Sequence, residues 1–345
     1  MKRLTKTASV IVLSLAILAS AGCSSTTKTP AATASGDKTA AAPASKFPEK
    51  PIEFIAPSGA GGGWDTTARV AAKVLNEQKI VTQPITVQNK EGGGGAVGLA
   101  YLKSKKGTAY TVNVYSPPLL LNNLNGSTPD SYKDTTPLAM VMTDYDVLAV
   151  AANSPYKTLG DLFAQAKKDP KSIKLGGGSA PGSMDHIAYI KAAKAAGVDV
   201  KLVPYVSFQG GGEAMTALLG NHVDVITTGI SETLEQARAG KIRLLAVLAP
   251  NRLDIIKDVP TAKEQGVNAD FAIWRGFFGP PGMPEDAKKY FESAFDQMLK
   301  SDAWKAEAAK QGWNTVYKNS ADFTQFLDQQ NTEMAALLTD LGLKK

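Results

Sequence analysis

The stretch Ile52-Glu-Phe-Ile-Ala-Pro-Ser-Gly-Ala-Gly-Gly-Gly-Trp-Asp-Thr-Thr-Ala-Arg-Val-Ala-Ala-Lys-Val-Leu75 changes its periodicity across a glycine run. Ile52–Ala56 reads as a short buried strand. From Asp65 onward, Ala68, Ala71, Ala72 and Leu75 fall on one face of a helix that runs to about Gln78. Strand, glycine-rich turn and helix in that order make the opening unit of an α/β layer. The same order recurs outward from it. Further strands read at 85–87, 110–115, 147–151, 173–175, 201–205, 223–227 and 242–248, and further helices at 96–103, 159–168, 183–196, 213–219 and 231–239. The end of the chain, 284–341, reads as almost wholly helical. This alternation predicts α/β layers with largely parallel sheets. The segments near Val147 and over Phe271–Phe277 are candidates for chain crossings between two lobes.

The chain has 345 residues, enough for about two domains, with one Cys and two His. A single Cys excludes an intramolecular disulfide and a Cys-based zinc cluster, and two histidines leave little for a metal site. No metal and no cofactor are expected. The formal net charge is +6, and without Lys2, Arg3 and Lys6 it is +3. Bulk charge therefore gives no support for a nucleic-acid partner.

Those three cations precede an uncharged apolar run, Ala8 to Ala21. Such a run spans about 21 Å as a helix, short of the ~30 Å hydrocarbon core of a bilayer. Residues 1–22 are thus expected to be a signal peptide rather than a membrane span. The run ends Leu18-Ala-Ser-Ala-Gly-Cys23, and Cys23 is the only cysteine in the sequence. Small residues before a lone cysteine resemble the bacterial lipobox, with the departure that Ser20 stands where the usual leucine would be. Lipidation of Cys23 is expected, followed by a flexible Ser/Thr/Ala/Pro/Lys tether to residue 46.

Sixteen of the 31 glycines lie in four strand-to-helix junctions: Gly59 with Gly61–Gly63, Gly92–Gly95 with Gly98, Gly176–Gly178 with Gly182, and Gly210–Gly212. Glycine lets backbone N–H groups approach a ligand, and the helix that follows adds unpaired donors and partial positive charge. Such junctions bind anions. Gly93-x-Gly95-x-x-Gly98 matches a dinucleotide fingerprint, but the acidic ribose partner about 20 residues on is missing, with Pro118 there. Neither a P-loop nor Gly-x-Ser-x-Gly occurs, and Gly178-Ser-Ala-Pro-Gly182 misses the latter by one position. A carboxylate is the anion these junctions suit best, and no enzymatic activity is expected. Ser183 is a natural helix N-cap, His186 a loop-fixing or ligand-donating imidazole, and His222 a turn residue.

At these junctions the sequence resembles the extracytoplasmic receptors of tripartite tricarboxylate transporters. The resemblance runs through Phe47-Pro-Glu-Lys-Pro-Ile-Glu-Phe-Ile-Ala-Pro57, Gly61-Gly-Gly-Trp-Asp-Thr-Thr-Ala-Arg69, Asn89-Lys-Glu-Gly-Gly-Gly-Gly-Ala-Val-Gly98, Ser179-Ala-Pro-Gly-Ser-Met-Asp-His186 and Gly220-Asn-His-Val-Asp224. It continues through Gly240-Lys-Ile-Arg-Leu-Leu-Ala246, Val259-Pro-Thr261 and Gly279-Pro-Pro-Gly-Met-Pro284, covering nearly all of 47–345. It implies an α/β type II periplasmic-binding-protein fold, with two lobes, a central ligand cleft, a two-strand hinge and C-terminal helices on lobe 1. Lobe 1 would comprise 47–146 plus 272–345, and lobe 2 would comprise 147–271.

The resemblance also implies a small organic carboxylate ligand, delivery to membrane permease subunits, and a monomeric receptor held outside the cytoplasm by its lipid. A sensor that presents the ligand to a membrane signalling kinase is the alternative. The family's first ligand loop corresponds to Ser58, Gly59, Ala60, Gly61, Gly62, Trp64 and Asp65, supported by Gly94 and Gly95. The second corresponds to Ser179, Ser183, His186, Gly210 and Gly211, with Thr227 and Thr228 nearby. Trp64 departs from the small polar residue of many members. Tyr145 and Trp274-Arg275-Gly276 look like the tricarboxylate-binding branch, which points to a citrate-like ligand whose third carboxylate meets Arg275. Arg275 as an interlobe ion pair stays open, as does Asp65 as a helix cap or as a selector of the ligand's hydroxyl or amine end.

Overall fold

Two parallel ladders organise the chain in the computed structural model, which describes residues 47–345. The leader, Cys23 and the tether expected at 1–46 lie outside the described residues. The strands are β1 (Ile52–Ala56), β2 (Ile85–Asn89), β3 (Thr111–Tyr115), β4 (Thr136–Ala151), β5 (Leu175–Gly177), β6 (Tyr205–Ser207), β7 (Val225–Gly229), β8 (Ile242–Val247), β9 (Ala272–Gly279) and β10 (Asn314–Lys318). The helices are α1 (Gly63–Glu77), α2 (Ala96–Ser104), α3 (Pro118–Leu124), α4 (Leu159–Lys168), α5 (Met184–Ala195), α6 (Gly211–Leu219), α7 (Leu234–Arg238), α8 (Glu285–Lys300), α9 (Asp302–Gln311) and α10 (Ser320–Asp340).

β2, β1 and β3 pair in parallel, as do β6, β5 and β7, with α1 packed on the first ladder and α5 and α6 on the second. β4 joins the two ladders, reaching β3 of the first through β9 and pairing directly with β7 of the second. Its first part runs antiparallel to β9, from Thr136 opposite Gly279 to Tyr145 opposite Ala272, and its second part runs antiparallel to β7 and β8. Apolar faces meet in two main cores. Phe54, Phe277, Phe295 and Trp304 fill the first, where Phe277 and Phe295 stack with centroids 4.5 Å apart. Leu148, Phe163, Ile187, Tyr189 and Val225 fill the second.

Three expectations about elements are corrected. β4 is far longer than 147–151, because the polar run Thr143-Asp-Tyr-Asp146 interrupts the apolar pattern yet stays extended, with Asp144 and Asp146 fully buried. The strand expected at 201–205 begins only at Tyr205, because the Asp199 carboxylate accepts from Lys201 N at 3.3 Å and turns the chain before it can extend. The C-terminal region also carries a strand, β10, whose Thr-Val-Tyr alternation pairs with β4.

Candidate functional site

In each parallel ladder the loops after the strands' C-terminal ends face the other ladder, where open α/β sheets place their ligands. There they enclose a small cavity of about 30 Å³. Ser58, Gly63 and Trp64 reach it from the β1–α1 loop, and Ser116 and Pro118 from the β3–α3 loop. Gly178, Ser179, Met184 and Asp185 come from the β5–α5 loop, Gly210 and Gly211 from the β6–α6 loop, Glu232 from beyond β7, and Arg275 from β9. Helices α1, α5 and α6 all begin at this cavity, so three N-termini bring positive potential to one place.

Loops from the two ladders touch across it. Gly59 N donates to Gln209 O at 3.0 Å, and Gly63 N donates to Glu232 Oε1 at 2.7 Å. The other Glu232 oxygen accepts from Thr228 Oγ1 at 2.7 Å. Two glycines are there for closeness. A Cβ on Gly63 would stand 2.7 Å from Arg275 Cζ, and one on Gly211 would stand 2.6 Å from Thr228 Oγ1 and 2.7 Å from Glu232 Cδ.

The charges are unequal. Arg275 is 1% exposed, its Nε and Nη1 have no hydrogen-bond acceptor, and Nη1 lies 3.8 Å from Asp144 Oδ2. Four carboxyl groups sit in the same neighbourhood: Asp144, Asp146, Asp185 and Glu232. Asp144 also accepts from Ser231 Oγ at 2.8 Å and from Tyr145 N at 2.7 Å. Burial pushes its carboxyl above the usual range against the pull of Arg275. Asp146 and Asp185 are raised well above that range, first by burial. The charges of Asp185, Asp144 and Glu232 then act on Asp146, and that of Glu232 on Asp185. Both oxygens of Asp146 and Oδ1 of Asp185 have no hydrogen-bond partner.

Of the residues expected at the site, Ser58, Trp64, Ser179, Gly210, Gly211 and Arg275 line the cavity. Gly59, Ala60, Gly61 and Gly62 shape its first loop without lining it. Asp65 turns away: its carboxylate accepts from Gly61 N at 3.0 Å, Arg69 Nε at 2.8 Å and Asn89 Nδ2 at 2.9 Å, which is the capping alternative. Burial pushes the Asp65 carboxyl up, and these three hydrogen bonds outweigh it and hold the group low.

Gly94 and Gly95 line a separate, smaller cavity with Tyr115 and Asn122. Tyr145 packs beside Val147, Ile230 and Val247, because alternation along β4 turns it to the opposite face from Asp144 and Asp146. Ser183 stands at the N-cap of α5, but its buried hydroxyl makes no cap bond. Instead Ser179 Oγ accepts from Asp185 N at 2.9 Å, which corrects the capping role expected of Ser183. His186 accepts from Gly182 N through Nδ1 at 2.9 Å and stacks on Tyr205 with centroids 4.3 Å apart, outside the cavity. Thr227 is buried with its hydroxyl unpartnered, and Thr228 reaches the site only through Glu232.

Gly63 and Gly178 belong to the glycine junctions read from the sequence. Asp185, Glu232, Ser116, Pro118 and Met184 went unread as site residues. Asp185 was within reach as the acidic residue in the first turn after a glycine junction. Glu232 carried no local signal, since the amide it meets is 169 positions away.

An α/β fold with helix N-termini converging between two parallel ladders is the architecture of the periplasmic solute-binding proteins. The chain belongs to the tripartite tricarboxylate transporter family receptors, whose family model matches residues 67–343. It is 32% identical over 311 residues to a protein from the gbd 5′ region of Cupriavidus necator, covering 89% of this chain and 92% of that one. Among solved structures it superposes on the periplasmic binding protein BugD with a TM-score of 0.80 at 23% identity, covering 87% of this chain and 100% of that one. MatC of Rhodopseudomonas palustris, solved with bound malate, gives a TM-score of 0.78 at 22% identity, covering 85% of this chain and 100% of that one. The family is one of solute receptors rather than enzymes.

Proposed function

We propose that this chain captures a small organic carboxylate between its two ladders outside the cytoplasm and hands it to the membrane permease of a tripartite transporter. The observation that carries this reading is Arg275. A guanidinium buried to 1% exposure, with two donor nitrogens unpartnered and helix N-termini around it, is a carboxylate receiver. In this reading the two strands crossing at Asp144–Val147 and Phe271–Ile273 form the hinge, with 47–146 plus 272–345 as one lobe and 147–271 as the other. Cys23 carries the lipid that keeps the receptor at the membrane. No helix among the described residues is long and apolar enough to cross one.

A citrate-like trianion suits the site less well than a smaller acid. Glu232 already holds the Gly63 amide, and the Gly178 and Ser179 amides face Asp185, so two of the anion-receiving positions carry the chain's own carboxylates. MatC, with its malate, offers a precedent of suitable size. Calorimetric titration of the chain without residues 1–22 against mono-, di- and tricarboxylates tests the reading. Arg275→Ala should weaken the best ligand about tenfold or more, since a hydrogen bond to a charged group contributes about 1.5–3 kcal/mol. An affinity unchanged by that substitution, or no carboxylate bound at all, would overturn it. Tightest binding of a tricarboxylate would restore the citrate-like assignment.

A further inference from the structure

The smaller cavity lies beside the first, and one side chain stands between them. Its volume is about 10 Å³, the room of about one water, and its lining includes Gly95, Leu99, Tyr115 and Leu119, with Pro118 shared by both cavities. Trp64 lines the first cavity and backs onto the second. Its ring meets Tyr115 edge-on with centroids 5.7 Å apart, and a Cβ on Gly95 would stand 3.0 Å from its Cη2. The bare backbone of Gly95 is what leaves room for the indole.

The ring is also held. Side chains of a helix lean toward its N-terminus, so Trp64, the second residue of α1, leans over the cavity at which α1 begins. Its Nε1 donates to Oγ of the buried Ser116 at 2.9 Å, and that hydroxyl reaches Met184 Sδ, on the second ladder's side, at 3.9 Å.

Trp64, Pro118 and Met184 are the apolar part of the first cavity's lining; the rest is glycine backbone, serine hydroxyls, two carboxyl groups and Arg275. The carbon chain of an acid held at Arg275 therefore finds its apolar surroundings at Trp64 and Pro118. Beyond the indole, apolar lining continues at Leu99 and Leu119. We propose that Trp64 is the residue that limits ligand length, ending the binding space at the first cavity and closing off the second. A chain one carbon too long must displace a packed, hydrogen-bonded ring, and overfilling a close-packed site is unfavourable. Removing the ring joins the two cavities, and each further methylene that finds apolar room there gains about tenfold or more in affinity. This inference rests on the carboxylate-receptor reading and adds to it how long an acid the site takes.

Calorimetry over straight-chain monocarboxylates of three to eight carbons and dicarboxylates of four to eight tests the role of Trp64. For the unmodified protein, affinity should drop tenfold or more between the longest acid that fits and one up to two carbons longer. In Trp64→Ala that drop should move to chains at least two carbons longer, whereas Trp64→Phe, which keeps a ring in the gap, should hold it within one carbon. Trp64→Leu opens the gap more gently and decides the question where the alanine variant folds poorly. A uniform loss at every length, with the drop unmoved, is what a merely structural tryptophan would give and would overturn the inference. An unmodified protein whose affinity holds or rises through eight carbons would overturn it with no variant needed, and the receptor reading would survive. If no acid of either series binds, the length limit falls, and if no tricarboxylate binds either, the receptor reading falls with it.

Discussion

Asp146 is an aspartate whose surroundings favour its neutral form. It sits fully buried with neither oxygen partnered, and burial with three neighbouring carboxyl groups holds its carboxyl well above the usual range of 3.8. A raised folded-state value means that the folded chain keeps a proton which the unfolded chain releases above about pH 4. Stability from this group is therefore full at acid pH and is lost as pH rises toward the raised value. Asp146→Asn keeps the neutral shape and removes the titration. Its melting temperature at pH 8 should exceed that of the unmodified protein by about 2 °C or more, a shift of about 1 kcal/mol, and should match it near pH 4. A variant melting lower at both pH values would contradict the assignment. His186 contributes the opposite slope. Burial lowers it to about 4, so what its neutral form contributes is lost as pH falls from about 6.5 through that value. The sequence left His186 between a loop-fixing and a ligand-donating imidazole, and its bond from Gly182 N is a loop contact. Asp146 was invisible as a buried group, because an aspartate in an extended polar run reads as surface.

Among the elements, α1 shows how far a local pattern goes. Its apolar face, its start after the glycine run and its first-turn acid were all readable, and Ala68, Ala71, Ala72 and Leu75 are buried as that face requires. The sequence left Asp65 between a cap and a ligand contact; the fold settles its partners. Through Asn89, which also donates to Ser58 O at 2.8 Å, the cap ties the β1–α1 loop to the end of β2. Asp65→Ala should cost about 0.5–2 kcal/mol of unfolding free energy in denaturant titrations, the usual range for a lost N-terminal cap. It should do so without changing which acid binds; a switch in ligand preference with stability unchanged would show that Asp65 faces the ligand after all. β4 shows the limit of local reading. Its Thr143–Asp146 segment breaks the apolar pattern that marks a strand, and only pairing with β9 and β7 keeps it extended.

At the scale of the molecule, several contacts join the two ladders, among them Asn125 Nδ2 donating to Gly182 O at 2.8 Å and the end of α10 packed into the second core through Met334, Leu338 and Leu341. Glu232 spans them with a charge-assisted bond to the first amide of α1, and Gly59 N adds a backbone bond to Gln209 O. A bond of the first kind contributes about 1.5–3 kcal/mol, so in the proposed two-lobe reading its removal would shift an open–closed equilibrium by about ten- to hundredfold. Without added acid, Glu232→Ala should show a larger radius of gyration in small-angle scattering than the unmodified protein, and a saturating ligand should bring the two together. Identical scattering curves without ligand would mean that Glu232 does not hold the ladders closed.

The alternation of short apolar strands with helices, and the glycine junctions that end the parallel strands, were written in the sequence. Both follow from local periodicity and from the conformational freedom of one residue type. The end of the sheet at which those junctions gather follows as well, because a strand-to-helix loop after a parallel strand always lies at its C-terminal edge. What the tertiary structure alone decided is the charge of the site. Arg275, Asp144, Asp146, Asp185 and Glu232 come from separate segments and meet only when two ladders face each other. No periodicity encodes that meeting, since the electrostatics of a cavity depend on distances in space between residues far apart along the chain.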